Sequence, residues 1–353
     1  MRIVACEPIF VRIPLRAEFR LAYQSYREIE GVVLRLETDG GHCGYGFAAP
    51  DPDVVGETAR DSLASLEEVV RPLVVGQDLE RLPAIEERLR ELLPQRPAAR
   101  AAVSIALWDA LGRSLGQPVW RLWGLFREDV ETSVTLGLEG LDETVRQANE
   151  WVRRGFRILK VKVGSEWEEV ERLTALRKAV GPGIRLRVDC NQCLTRDSAR
   201  RFLQACVRLG VEFVEQPISA EDPAGLAELS SGALPVFVDE SASNLVALKK
   251  LLDLRFRGGV VLKLQKNGGL GEVRRLASYC RAAGLSLMLG CNDESRISMA
   301  ASLHLALSEP SFQYWDLDGH LDLVGEPATG GLILENGRLR PTSSPGFGVE
   351  VRL

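Results

Sequence analysis

No stretch of this 353-residue sequence approaches the ~18 to 20 consecutive apolar residues that a membrane-spanning helix requires, so a membrane protein is not expected. An excess of one charge sign is missing too. The 44 basic and 49 acidic side chains leave a net charge of −5, too modest to mark a nucleic-acid or anionic-membrane partner. Cysteine occurs seven times but in no disulfide framework, so reduced thiols in a reducing, cytoplasmic compartment are expected. Cys6 after Ile3-Val4-Ala5 mimics a lipoprotein processing site, but without a preceding apolar run no leader is expected. Cys190-Asn191-Gln192-Cys193 has no second cysteine pair at zinc spacing, and Gly268-Gly269-Leu270-Gly271 is not followed by Lys-Ser/Thr. The first therefore falls short of a zinc or redox motif, and the second reads as a turn rather than a phosphate cradle. The three histidines, His42, His304 and His320, are dispersed.

What the sequence does hold is a relay of charged residues. Lys160-Val161-Lys162 is followed by Asp189, Glu215, Asp239 and Lys263, with successive gaps from Lys162 of 27, 26, 24 and 24 residues. Each member closes a short apolar, β-branched run, and the gap is the length of one strand, one helix and two loops. Charged groups at the ends of five consecutive strands meet at one end of a parallel barrel, the end where (β/α)8 barrels carry their active sites. With 45% apolar and 26% charged residues, the chain is long enough for two domains and a large core.

Taken in order, residues 2–14, 31–38 and 42–47 read as an antiparallel meander turning at Asp39-Gly40-Gly41. Between the first two strands, about Leu15 to Glu28, a polar loop carrying Phe19, Tyr23, Gln24, Tyr26 and Arg27 is a candidate lid. Helical patterning follows over 53–74, 79–93 and 98–115, which makes residues 1–124 an α+β capping domain. From Glu131 onward, eight apolar strands alternate with helices: 132–137, 157–163, 184–189, 212–215, 235–239, 259–264, 285–289 and 312–316. The expected fold is α/β, a modified (β/α)7β TIM barrel over residues 125–320, with 321–353 returning to the capping domain.

Side chains two apart on a strand share a face, so Lys160 and Lys162 both point into the barrel. Buried ammonium groups need anions, and Asp189, Glu215 and Asp239 supply them from neighbouring strands. Three carboxylates with no imidazole or thiol suit a hard cation, Mg2+ with Mn2+ as an alternative. Such a cation stabilises the dianion formed when a proton leaves the carbon beside a substrate carboxylate, while lysines of lowered pKa take and return the proton. Lys162 and Lys263 lie four strands apart, on opposite sides of the barrel, and two bases across one carbon imply inversion. Lys266, three residues beyond, is expected in a loop.

Lys160-Val161-Lys162, Asp189-Cys190-Asn191, Glu215-Gln216-Pro217, Asp239-Glu240-Ser241, Lys263 and Gly268-Gly269, together with Gly44-Tyr45-Gly46 and Pro345-Gly346-Phe347-Gly348, resemble the muconate lactonizing enzyme subgroup of the enolase superfamily. Asp316-Leu317-Asp318 is similar to the Asp-x-Asp signature of dipeptide epimerases, where the pair holds the substrate's N-terminal ammonium. The resemblance implies Lys162 and Lys263 as the acid/base pair, Asp189, Glu215 and Asp239 as Mg2+ ligands, and Lys160, Asp316, Asp318, Gln24, Thr135 and Asn191 as substrate contacts. It implies an isomerase acting on a small carboxylate substrate, a dipeptide first. N-succinylamino acid racemase, o-succinylbenzoate synthase and muconate cycloisomerase remain alternatives on the same site. Gln24 stands where the alanyl-glutamate epimerases have Arg, Phe47 where relatives have Glu, and Gly290-Cys291-Asn292-Asp293 where a more apolar sequence is usual. A histidine mechanism like that of mandelate racemase would need His near Gly290. A homo-oligomer is compatible with the fold, but no surface stripe marks an interface.

Overall fold

The computed structural model describes residues 1–22, 24–164 and 168–352. Strand Ile3–Arg20 runs antiparallel to Ser25–Thr38, which in turn pairs with Cys43–Ala48. The loop expected over Leu15 to Glu28 is instead mostly a continuation of the first two strands as a two-stranded ribbon. Its register shifts between Pro14 and Phe19 and resumes at Phe19 opposite Tyr26. The reason lies in solvation: beyond Leu15 most side chains of the ribbon are exposed while Phe19 and Tyr26 pack back on the core, so the regular alternation by which a strand is recognised is broken. Tyr23, part of the expected lid, lies outside the described residues.

The expected helix over 53–74 is also divided. Pro52–Val55 stops at Gly56 in the left-handed region (φ 66°), and Thr58 then caps Ala59–Ser65 reciprocally with Asp61. A wide turn, Leu66–Val70, precedes Arg71–Val74. Helix Leu82–Leu92 leads to Pro97–Ser114, which is buried nearly all round and lies across strand Cys43–Ala48. That approach depends on glycine, since a Cβ on Gly46 would collide with the Ala102 carbonyl.

The second layer is an eight-stranded parallel sheet in sequential order: Val134–Leu136, Ile158–Lys162, Arg185–Asp189, Val211–Glu215, Val236–Val238, Gly259–Lys263, Ser286–Gly290 and Tyr314–Trp315. The end strands are shorter than expected and share no ladder. They meet through the Ser133 N–H donating to the Trp315 carbonyl (3.2 Å) and the Leu317 N–H donating to the Thr132 hydroxyl (2.7 Å). Phe213, Phe237, Val261, Met288 and Tyr314 fill the interior as one apolar layer. The Arg187 guanidinium lies 5.2 Å from the Phe213 ring and 5.3 Å from that of Tyr314. Two residues further along their strands come Asp189, Glu215, Asp239, Lys263 and Asp316. Period-two geometry thus stacks a charged layer on an aromatic one, at the C-terminal mouth of the barrel.

Beyond the last strand the chain returns to the first domain. Val324 N–H donates to the Pro14 carbonyl at 2.8 Å. Buried Asp109 accepts from Phe347 N–H (2.7 Å), Tyr45 N–H (3.0 Å) and Arg113 Nε (2.8 Å). Among the described residues no helix is long and apolar enough to cross a membrane, and all seven cysteines are free thiols.

Candidate active site

The charged residues of the relay arrive at one mouth as two buried clusters, one around Lys160 and Lys162 and one around Asp239. Lys160 Nζ lies 3.0 Å from Asp189 Oδ2, 3.1 Å from Glu215 Oε1 and 2.9 Å from Asp316 Oδ2. Lys162 Nζ donates to Asp189 Oδ2 (2.8 Å) and Asn191 Oδ1 (3.0 Å). Across the mouth, Lys263 Nζ lies 2.8 Å from Asp239 Oδ2 and donates to Asn292 Oδ1 at 3.4 Å. Lys266 overturns its expectation. It belongs to a single helical turn, Leu264–Asn267, that folds it beneath Asp239, where it donates to Asp239 Oδ1 (2.7 Å), the Asp239 carbonyl (2.5 Å) and the Val261 carbonyl (2.8 Å). Every proton of its ammonium is engaged, and of the two lysines it is Lys263 that borders the active-site cavity.

The electrostatics follow from this pairing. Burial works against the Lys160 ammonium, but Asp316, Glu215 and Asp189 outweigh it and hold its pKa well above the usual range. Lys263 is likewise raised, burial being overcome chiefly by Asp239, so the lowering expected for it is not produced by this arrangement. Lys266 is lowered by burial. Burial and the neighbouring Asp189 push Glu215 well up. Despite burial, Asp189 is held low by Lys162 and Lys160, and Asp239 by Lys263 and Lys266.

Gln216 holds the strand ends together. Its Oε1 accepts from Asp239 N–H (2.9 Å) and Ser241 N–H (3.2 Å), and its Nε2 donates to the Ile218 carbonyl (2.9 Å) and Ser241 Oγ (2.8 Å). The backbones of Asn191, Gln192 and Gln216 sit at positive φ (39°, 70° and 36°), which sharpens the turns leaving the third and fourth barrel strands.

The donor set of Asp189, Glu215 and Asp239 fits a hard divalent cation. All three offer oxygen, Asp189 stands opposite Glu215 in the ladder, and buried Glu215 Oε2, 3.0 Å from Lys160 Nζ, accepts no hydrogen bond. Among the described residues no ready-made cage of three such groups is formed, the carboxylates being turned toward the lysines.

Above these clusters opens a cavity bordered by Lys160, Lys162, Asn191, Lys263, Asp316, Asp318 and Thr135. Of the Asp-x-Asp pair, Asp316 borders the cavity but is already engaged by Lys160 and by the Ser133 hydroxyl (2.6 Å). Asp318 faces the cavity, accepts the Thr135 N–H at 2.6 Å, and is pushed up to about 7 by burial and by Asp316. Thr135 therefore reaches the site through its backbone as well as by bordering the cavity. Gln24 does not border this cavity but the adjoining outer cleft. Phe47 is fully buried in the core, where its carbonyl accepts from Gln265 Nε2. Asp51, Asn292 and Asp293 border the cavity although the sequence reading gave them no role. The signal for the last two was present in the polar residues that replace an apolar run after the seventh strand.

Residues 6–124 match the mandelate racemase / muconate lactonizing enzyme N-terminal domain, and residues 143–353 the enolase C-terminal domain-like model. The L-Lys-D/L-Arg epimerase of Methylococcus capsulatus is 40% identical over 344 residues, 95% of each chain. That of Desulforapulum autotrophicum is 36% identical over 341 residues, 96% of each. The crystal structure of the Methylococcus capsulatus dipeptide epimerase complexed with Mg and the dipeptide L-Arg-D-Lys superposes with a TM-score of 0.94 at 38% identity, covering 100% of both chains. The chain therefore belongs to the mandelate racemase / muconate lactonizing enzyme family of the enolase superfamily, and with relatives that are epimerases it is an isomerase.

Proposed function

We propose that the chain is a Mg2+-dependent dipeptide epimerase that inverts the carbon next to the substrate carboxylate by two-lysine 1,1-proton transfer. The observation that carries this reading is the placement of Lys162 and Lys263 on the second and sixth of eight barrel strands, bordering one cavity, each beside its own carboxylate. One lysine, as the free amine, takes the α-proton from one face. The other, as the ammonium, returns a proton to the opposite face, and the roles exchange for the other stereoisomer. Asn191 directs Lys162, and Asn292 directs Lys263. Lys160, held as an ammonium by its three carboxylates, faces the substrate carboxylate. Asp189, Glu215 and Asp239 would hold Mg2+, which would supply stabilisation of the charge that builds on that carboxylate. Asp318, desolvated and beside Asp316, gains from an ammonium partner, which favours a free N-terminus over an N-acylated substrate.

Incubation with Mg2+ in D2O and a dipeptide library is expected to place deuterium on the α-carbon, read by mass spectrometry, and EDTA to stop it. Lys263→Ala should abolish exchange from one stereoisomer and spare the other. No deuterium in any substrate removes the epimerase reading, and equal residual exchange from both isomers removes the two-base assignment.

A further inference from the structure

The active-site cavity does not end at the lysines. Tyr26, Asp51, Asn292 and Asp293 border both it and a second, outer cleft walled by the ribbon and by residues 49–59. That cleft is lopsided in charge: Glu28, Glu30, Asp51 and Asp293 line it and, among the described residues, no lysine or arginine does. The outer pair is already served, since Arg12 lies 2.8 Å from Glu30 and 3.8 Å from Glu28. Asp293 is different. Its Oδ2 accepts the Tyr26 hydroxyl at 2.6 Å, no lysine or arginine pairs with it within salt-bridge distance among the described residues, and it borders the same cavity as Lys162 and Lys263. The residue is half-buried, so its carboxylate is partly withdrawn from water, a condition in which a carboxylate gains from a cation. Between the seam and the cleft wall, Ile29, Ala49, Pro50 and Pro52 offer an apolar path for a methylene stem.

On the reading above, a dipeptide is fixed by its carboxylate at Lys160 and its ammonium at Asp318, and the cavity that these residues border joins the outer cleft at Asp293. We propose that the outer cleft selects a cationic side chain, of the lysine or arginine class, on the epimerised residue, with Asp293 as the specificity-determining carboxylate and Tyr26 orienting it. This rests on the two-lysine epimerase reading and adds to it which substrate residue bears the charge and what reads it.

The test compares L-Ala-L-Lys, L-Ala-L-norleucine and L-Lys-L-Ala by α-deuterium exchange, norleucine keeping the length of lysine without its charge. In the wild type, kcat/KM for L-Ala-L-Lys should exceed that for each of the other two by roughly tenfold or more, the size expected for a desolvated charge-assisted contact. Asp293→Asn, which keeps the shape and a partner for Tyr26, should lower the lysine-to-norleucine ratio at least about tenfold, mainly through KM. Equal or better use of norleucine, or preference for L-Lys-L-Ala, overturns the proposal while leaving the epimerase intact. Exchange with none of the three, or with any other dipeptide, overturns the epimerase reading itself. Should Asp293→Asn not fold, the wild-type ratios still decide.

Discussion

Lys160→Met would test whether the site's charge balance is part of the fold. Methionine keeps the unbranched stem and volume but removes an ammonium that lies about 3 Å from three carboxylates, Asp189, Glu215 and Asp316. At an effective dielectric of ~20, each such contact corresponds to about 5 kcal/mol of attraction, most of it offset by the cost of burying the charges. The net loss on removing one partner from a buried ionic group is about 3 to 5 kcal/mol, because the remaining carboxylates stay buried without compensation. For a chain of this length that corresponds to a fall in Tm of roughly 4 to 7 °C. Circular-dichroism melts in EDTA would measure it. Added Mg2+ should then raise the Tm of the variant more than that of the wild type, since a divalent cation would meet the carboxylates that lost their lysine. A variant that melts within a degree or two of the wild type in EDTA would refute the reasoning.

Two further predictions concern stability away from the reaction. His304 is fully buried, accepts the Trp120 N–H at Nδ1 (3.2 Å), and is lowered to about 3 by burial. Its folded pKa lies below its unfolded value, so the unfolded state binds the extra proton and stability falls as pH drops from about 6.5 toward 3, by roughly 2 kcal/mol at pH 5. Urea titrations at pH 7 and 5 should therefore show a smaller loss in His304→Asn than in the wild type; identical losses would contradict the assignment. Gly46→Ala would drive a methyl into the Ala102 carbonyl and push strand Cys43–Ala48 off its helix, at a cost of about 1 to 3 kcal/mol. A variant with unchanged Tm would show that the strand can shift freely.

The barrel and its charged layer were legible in the sequence for one physical reason. A parallel strand buried on both faces has no use for a charge, so Asp189, Glu215, Asp239 and Lys263 stand out at the ends of apolar runs. The same logic failed where burial is not carried by a strand. Lys266 lies three residues beyond Lys263, which suggests a loop, and only the single turn Leu264–Asn267 brings it under Asp239. The ribbon lacks a strand's regular alternation because most of its side chains are exposed, with Phe19 and Tyr26 packing back on the core. Asp51 and Asp293 sit in loops, where acidic residues are common, and only the folded chain brings them to one seam.

The amide of Gln216 has consequences for how such a site can diversify. Both lone pairs of its oxygen and both of its N–H donors are engaged, so the interval between Glu215 and Asp239 is fixed by the chain alone. The ribbon tip and the stretch after Gly290 take no part in that bracing. Replacements there can change which molecule is admitted while the reacting end keeps its dimensions, so new selectivities can be drafted at the rim without redrawing the floor.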